Sequence, residues 1–458
     1  MPQEFAISPD IVAHRLPEPA YEANFADLHP PLDHHGAHVA ADRCLFCWEA
    51  PCVAACPTGI DIPLFIRQIS TGNPLAAAKT ILDANIMGGM CARVCPTETL
   101  CEQACVREAS EGAPVNIGLL QRHATDALLT SGRQPYRQGA PTGRSVAVVG
   151  AGPAGLACAH KLATLGHAVT LFEAREKPAG LNEYGIAAYK TPGGFAAREA
   201  AFILGVGGIT LKTGVALGRD ITLASLQDDY DAVFLGLGLG AVNALVLEAP
   251  GLEAEALAGV EDAVAFIARL RQAIHPGDIA IGRRVVVIGG GMTAIDIASQ
   301  AKRLGAEEAT IVYRRGPEAM NASRYEQELA QTDGVLIRHW LKPVELTSRG
   351  GVTTGIIFEY TKIENGRLVG TGERLTLACD QVFKAVGQRL DDTAEDVTAL
   401  VLKDGRISVD GERRTALAGV WAGGDCVAGG EDLTVVAVED GKQAALSIDR
   451  ALRMPKTA

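Results

Sequence analysis

Eight cysteines stand between residues 44 and 105 in two groups, Cys44-x2-Cys47-x4-Cys52-x3-Cys56-Pro57 and Cys91-x3-Cys95-Pro96 followed by Cys101-x3-Cys105. In a reducing compartment such density means metal or redox chemistry more often than disulfides. Two glycine-rich turns, GAGPAG at 150–155 and GGGMTA at 289–294, each follow an apolar strand pattern and open a helix pattern. In that arrangement backbone N–H groups and a helix N-terminus receive a pyrophosphate. Cys158, Cys379 and Cys426 stand apart from the groups and read as small buried hydrophobes.

The two nucleotide sites differ. In the first, Gly150, Gly152 and Gly155 surround Pro153 and Ala154, and Glu173 ends the second strand, placed to accept from a ribose hydroxyl. In the second, Gly289, Gly291 and Ala294 surround Met292 and Thr293, and Tyr313-Arg314-Arg315 stands where an NAD-specific site carries an acid. A guanidinium pair suits a 2′-phosphate, so NADP(H) is expected, although the same residues tolerate NAD(H). Unequal sites in one chain imply a resident flavin and a mobile nicotinamide. Gly424 and Asp425, in the GGD stretch after an apolar strand, are expected beside a ribityl chain, with the start of the helix candidate VEDGKQAAL near the isoalloxazine and Thr434 and Val435 among the FAD contacts.

GAGPAG with Glu173, GGGMTA, Ala385-Val386-Gly387 and AGGDC together resemble the flavoprotein reductases with two dinucleotide domains. The resemblance implies a discontinuous FAD domain into which an NAD(P)H domain is inserted. Thioredoxin reductase shares this plan but needs a CxxC near the flavin, and none occurs after residue 105. Electrons therefore need another outlet. Structural zinc prefers separated CxxC pairs or Cys/His sets, whereas a CxxC with further cysteines and a closing Cys-Pro resembles bacterial ferredoxin runs, which lend their last cysteine to a second cluster. Two [4Fe–4S] clusters are the better reading.

With these cysteines ahead of it, nearly the whole chain resembles the N-terminal half of dihydropyrimidine dehydrogenase, its separate bacterial electron-input subunit, and the glutamate synthase small subunit. The resemblance implies that Cys44, Cys47, Cys52 and Cys105 bind one cluster. It implies that Cys56, Cys95, Cys101 and a glutamine sixteen residues beyond the final cysteine, Gln121, bind the other, leaving Cys91 unligated. An amide oxygen in place of thiolate changes cluster charge and so its potential. Glutamate synthase relatives more usually carry an acid there, so Gln121 favours pyrimidine reduction. By the same resemblance Val94, Gly180, Leu181 and Lys190 are flavin contacts. Ala179-Gly180 replaces the Gly-Gly of many relatives, and Gly185-Ile186-Ala187 replaces their GIP. A hetero-oligomeric partner with FMN, further iron–sulfur clusters and the uracil or thymine site is implied, since no β/α barrel is present in this sequence.

These residues need elements to hold them. The 458 residues, 48% hydrophobic with 51 glycines, fit a multi-domain α/β protein. We expect an N-terminal arm and α-helical iron–sulfur domain over 1–135, followed by two Rossmann-like domains: FAD-binding at 144–283, NAD(P)H-binding at 284–378 and FAD-binding again at 379–458. PLFIRQI, LAAAKTILDA and IGLLQRHATDALL have helical spacing, TSGRQPYRQGAPTGRS reads as a linker, and the prolines of HPPLDHHGAH argue against a regular helix there. A net charge of −12 argues against nucleic acid as partner. The absence of a long apolar run or an export signal in MPQEFAISPD predicts a soluble, cytoplasmic protein with no membrane contact.

Overall fold

Buried along its apolar run, the strand Ser145–Val149 is flanked on both sides in a five-stranded parallel sheet. The order is Val420–Ala422, Ala232–Leu235, Ser145–Val149, Ala168–Glu173, Ile209–Thr213. Such burial on both faces is what a near-continuous Val/Ala run requires. The computed structural model describes residues 10–245, 247, 257–391 and 399–454. The stretch read for an export signal lies outside them as far as residue 9.

A second parallel sheet runs Val260–Asp262, Gln381–Lys384, Arg284–Ile288, Glu308–Val312, Leu336–Arg338. Three antiparallel strands, Leu341–Arg349, Val352–Glu364 and Arg367–Ala378, form a separate sheet. The described residues divide into two compact units: those within 10–28, 184–192 and 242–388 form one, and those within 29–183, 193–241 and 389–454 the other.

The expected boundaries at 283/284 and 378/379 are therefore corrected to 241/242 and 388/389. The reason is sheet completion: Arg284–Ile288 needs a parallel neighbour on each edge, and Gln381–Lys384 supplies one, with Val382 in register with Val286. Gln381–Lys384 in turn pairs with Val260–Asp262. Asp380 reinforces the join, since Oδ2 accepts the Arg284 N–H at 2.8 Å. Residues 10–28 also leave the cysteine region: Val12 bridges to Ile281, and Tyr21 is buried in the core beneath the second parallel sheet.

In the other unit, the helices Ile62–Ser70, Pro74–Ala84 and Ile117–Ser131 occur where spacing predicts. Asp61 accepts the Leu64 N–H at 3.0 Å and starts the first of these, which buries Ile62, Phe65, Ile66 and Ile69. One expectation fails: HPPLDHHGAH contributes to a helix, His34–Asp42. Its prolines precede the cap, and Asp33 Oδ1 accepts the Gly36 N–H at 2.6 Å. The linker is irregular, but Tyr136 within it donates its hydroxyl to Asp83 at 2.8 Å. Cys158, Cys379 and Cys426 are fully buried. No helix among the described residues is long and apolar enough to cross a membrane.

Candidate functional site

Cys44, Cys47, Cys52 and Cys105 line one cavity, closed on its apolar side by Ile62, Ile66, Val115 and Ile117. Chain geometry brings them there. Cys44 follows the helix His34–Asp42, Cys52 lies in the short helix Pro51–Ala54, and Cys105 stands at the start of the helix Val106–Glu111. Phe46, at φ +51°, turns the loop so that its N–H points to Cys44 Sγ at 3.5 Å. Burial pushes the Cys52 thiol up to about 11, and Cys105 and Cys44 add to the effect. Cys44 is raised first by burial as well. Crowded thiols that resist ionisation are stabilised as thiolates when a cationic metal centre sits between them.

The second group closes around Cys95. A hydrogen bond with Cys91 raises its thiol pKa most, followed by burial and the proximity of Cys101 and Cys56. Cys101 is raised by burial and then by Glu102, Cys56 and Cys52. The Thr58 hydroxyl lies 3.3 Å from Cys56 Sγ. Among the described residues no three His, Cys, Asp or Glu are grouped as a single bound ion requires. Four cysteines around one cavity can supply one thiolate to each corner of a four-iron cluster.

Gln121 is buried on the helix Ile117–Ser131 and donates its Nε2 to the Gly88 carbonyl at 2.7 Å. Cys91 is buried too, and its sulfur accepts from Asn85 Nδ2 at 3.2 Å. Val94 ends the helix Gly88–Val94, directly before Cys95. At the start of that helix the buried Glu199 accepts the N–H of Gly89 at 2.8 Å and of Met90 at 3.1 Å. Burial pushes the Glu199 carboxyl up to about 8 against the pull of those N–H groups and Arg93.

In the same unit the first glycine turn is sterically determined. A Cβ at Gly150 would lie 2.2 Å from Gly236 O, and one at Gly155 would lie 1.8 Å from Gly150 O. Gly152 caps the helix Pro153–Thr164, in which Ala154 is buried. Glu173 ends its strand as expected, and its two carboxylate oxygens accept the N–H groups of Ala151 at 2.9 Å and Arg175 at 2.8 Å. It thus fixes the glycine turn itself, with lone pairs left for a ribose hydroxyl. Gly180 lies against Gly152, and Leu181 opens the next helical turn. Asp425 is pushed up to about 6, first by burial and then by Asp432. The helix Thr434–Arg453 begins at Thr434, whose hydroxyl donates to Asn182 Oδ1 at 2.8 Å, and Val435 is buried beside it. Narrow glycine contacts at a helix N-terminus, with a buried carboxylate nearby, fit a dinucleotide-linked flavin.

Lys190, expected at the flavin, belongs to the other unit. Its amine lies 2.8 Å from Asp296 Oδ1 and 2.9 Å from Glu326 Oε2. The segment around it docks there because Asp296 accepts the Ala187 N–H and Gln300 the Ala188 N–H, each at 3.0 Å. Burial alone would lower the lysine's pKa, yet Asp296, Tyr189 and Glu326 together raise it.

In that unit Gly289 has φ +151°, and a Cβ on it would lie 2.2 Å from Ala385 O. Gly291 caps the helix Met292–Arg303, which carries Met292 and Thr293 in its first turn and buries Ala294. The Tyr313 ring packs on Gly290. Arg314 and Arg315 are exposed beyond the strand Glu308–Val312. Ala385, Val386 and Gly387 follow the strand Gln381–Lys384, with the Asn243 Nδ2 donating to Val386 O at 3.2 Å.

Sequence reasoning missed Glu199, Asn85 and Asp440. Glu199 had a readable signal: it occupies the apolar stripe Phe195, Glu199, Ile203 of an alanine-rich helix, where a charge is out of place. Asn85 bonds the Met87 N–H and the Cys91 sulfur, and Asp440 the Gly424 N–H, contacts that depend on the folded turns and carry no such signal.

Residues 21–133 match the family model described as dihydropyrimidine dehydrogenase domain II, 4Fe-4S cluster, and residues 144–441 match that of the pyridine nucleotide-disulphide oxidoreductases. The NAD-dependent dihydropyrimidine dehydrogenase subunit PreT of Escherichia coli O157:H7 is 38% identical over 416 residues, covering 90% of this chain and 93% of that protein. The glutamate synthase [NADPH] small chain of Escherichia coli K12 is 33% identical over 445 residues, covering 92% of each. The crystal structure of thioredoxin reductase from T. acidophilum superposes with a TM-score of 0.54 at 22% identity, covering 68% of this chain and 100% of that one.

Proposed function

Because the chain belongs to the pyridine nucleotide-disulphide oxidoreductases, in the branch that carries a dihydropyrimidine dehydrogenase-type 4Fe-4S domain, we propose that it is the electron-input subunit of a pyrimidine-reducing complex. It oxidises NADPH and delivers the electrons to a partner subunit that reduces uracil or thymine. The observation that carries this reading is the gathering of two cysteine groups in the same compact unit as the first glycine turn.

When bound, FAD supplies the change from hydride to single-electron chemistry, and two [4Fe–4S] clusters supply one-electron carriers. The chain's own residues bind and orient these groups. Gly150, Gly152 and Gly155 would admit the FAD pyrophosphate, Glu173 would accept from its ribose hydroxyl, and Asp425 would hold its polar chain. Cys44, Cys47, Cys52 and Cys105 form one donor set, and Cys56, Cys95, Cys101 and Gln121 the other. Arg314 and Arg315 supply the charge for a 2′-phosphate. No acid–base residue is required for hydride transfer, so orientation is the protein's main contribution.

The test is nicotinamide oxidation by the co-purified complex, first with uracil and then with 2-oxoglutarate plus glutamine. Uracil-dependent turnover is expected. Turnover only with the second pair would transfer the chain to the glutamate synthase reading, which the 33% identity over 445 residues keeps as the alternative.

A further inference from the structure

Four residues of one turn lie beside both contenders for the last position on the second cluster. Asn85 ends the helix Pro74–Ala84 and is fully buried. Its Oδ1 accepts the Met87 N–H at 3.0 Å, which fixes the amide's orientation and directs Nδ2 to Cys91 Sγ at 3.2 Å. One residue further on, the Gly88 carbonyl accepts Gln121 Nε2 at 2.7 Å. That bond fixes the second amide in the opposite sense: its nitrogen is held by the turn, and its oxygen lies on the other side of the amide. Cys91 is meanwhile held by Asn85 at its sulfur and by the Cys95 N–H, 3.0 Å from its carbonyl oxygen.

We propose that the turn Asn85–Gly88 selects the fourth ligand of the second cluster, Asn85 holding Cys91 off the iron and Gly88 presenting Gln121 Oε1 to it. This inference rests on the reading that Cys56, Cys95 and Cys101 hold a [4Fe–4S] cluster. It assigns Asn85 as a positioning residue and gives Cys91, the cysteine that reading leaves over, a role as a reserve ligand. Releasing Cys91 exchanges one iron–oxygen bond for an iron–sulfur bond. The thiol gives its proton to solvent, no electron is transferred, and the site gains one negative charge. Added negative charge disfavours a further electron, so the reduction potential falls.

The experiment is an EPR-monitored redox titration of the full-length, reconstituted chain, with iron analysis, for the wild type, Cys91→Ser, Asn85→Ala and the double variant. Asn85→Leu, of similar volume, serves if the alanine variant does not fold. Cys91→Ser is expected to keep the wild-type spectrum and iron content. Asn85→Ala is expected to shift the second cluster's oxidised-to-reduced ratio at least tenfold, about 59 mV to more negative potential for one electron. The double variant is expected to lose that new signal. A cluster lost in Cys91→Ser would make Cys91 the native ligand and overturn the inference, as would an unmoved potential in both Asn85 variants. Wild-type protein that binds well under about eight irons per chain would instead overturn the two-cluster reading, independently of any variant.

Discussion

Asp440 accepts the Gly424 N–H on Oδ2 at 2.9 Å, while its Oδ1 lies 2.5 Å from the Arg413 guanidinium. One buried carboxylate on the C-terminal helix thereby holds the GGD turn. The adjacent Gly441 brings that helix against the first nucleotide helix, where a Cβ would lie 2.0 Å from Ala154 O. Asp440→Ala leaves a buried N–H without its acceptor and a guanidinium without its counter-charge, a cost of about 1–3 kcal/mol. Part of that cost is expected at the flavin: the FAD dissociation constant, followed by fluorescence, should rise about tenfold or more. An unchanged FAD affinity in a folded Asp440→Ala protein would restrict the residue to helix packing.

Ala179 has φ +88°, in the left-handed half of backbone space, and its N–H donates to Ala151 O at 2.8 Å. A Cβ in that region costs about 1–2 kcal/mol. Glycine removes the cost and returns about 0.4–1 kcal/mol through the freer unfolded chain. Ala179→Gly is therefore expected to raise stability by a net of about 0–1.6 kcal/mol, and the thermal midpoint with it. Buried alanines ordinarily respond to glycine with a loss. Ala179→Val, with a branched Cβ, should lower the midpoint, and the reverse order of the two variants would remove the strain argument.

Local pattern reveals much of this fold. The strand–glycine turn–helix units and the three helices of the cysteine region follow from periodicity and capping, because each is stabilised by neighbours in sequence. Gln381–Lys384 was not legible as part of the second parallel sheet, because its partners Val260–Asp262 and Arg284–Ile288 are about a hundred residues or more away. The placement of Lys190 likewise depends on Asp296 and Glu326, which no local pattern connects to it. Cysteine spacing identified two groups. The role of Asn85 depends on a side chain six residues from Cys91 and a turn that only the folded chain forms.

Nucleotide preference is a separate test. Arg314 and Arg315 are exposed, so their contribution is screened by salt and appears only when a dianion reaches them. Charge-assisted hydrogen bonds to a phosphate are worth about 1.5–3 kcal/mol. The paired change Arg314→Ala with Arg315→Ala is expected to raise the NADPH dissociation constant by on the order of a hundredfold in anaerobic stopped-flow bleaching of the flavin. NADH should change far less. Equal responses of the two nucleotides would remove the 2′-phosphate assignment.

Asp425 gives a pH dependence whose sign is determined. Its carboxyl is pushed from 3.8 up to about 6, chiefly by burial, with Asp432 adding and Arg406 opposing. The folded flavin-free protein therefore holds this proton more tightly than the unfolded chain does. The stability it contributes is fully present below about pH 4 and is lost as pH rises through 6. A shift of this size corresponds to about 3 kcal/mol at most. Asp425→Asn stays neutral throughout, so urea denaturation of flavin-depleted protein should give variant and wild type similar stability at pH 4. Above pH 7 the variant should be the more stable by up to about that amount. Parallel profiles across the range would mean that Asp425 is solvated in the folded chain and does not form a desolvated edge of the flavin site.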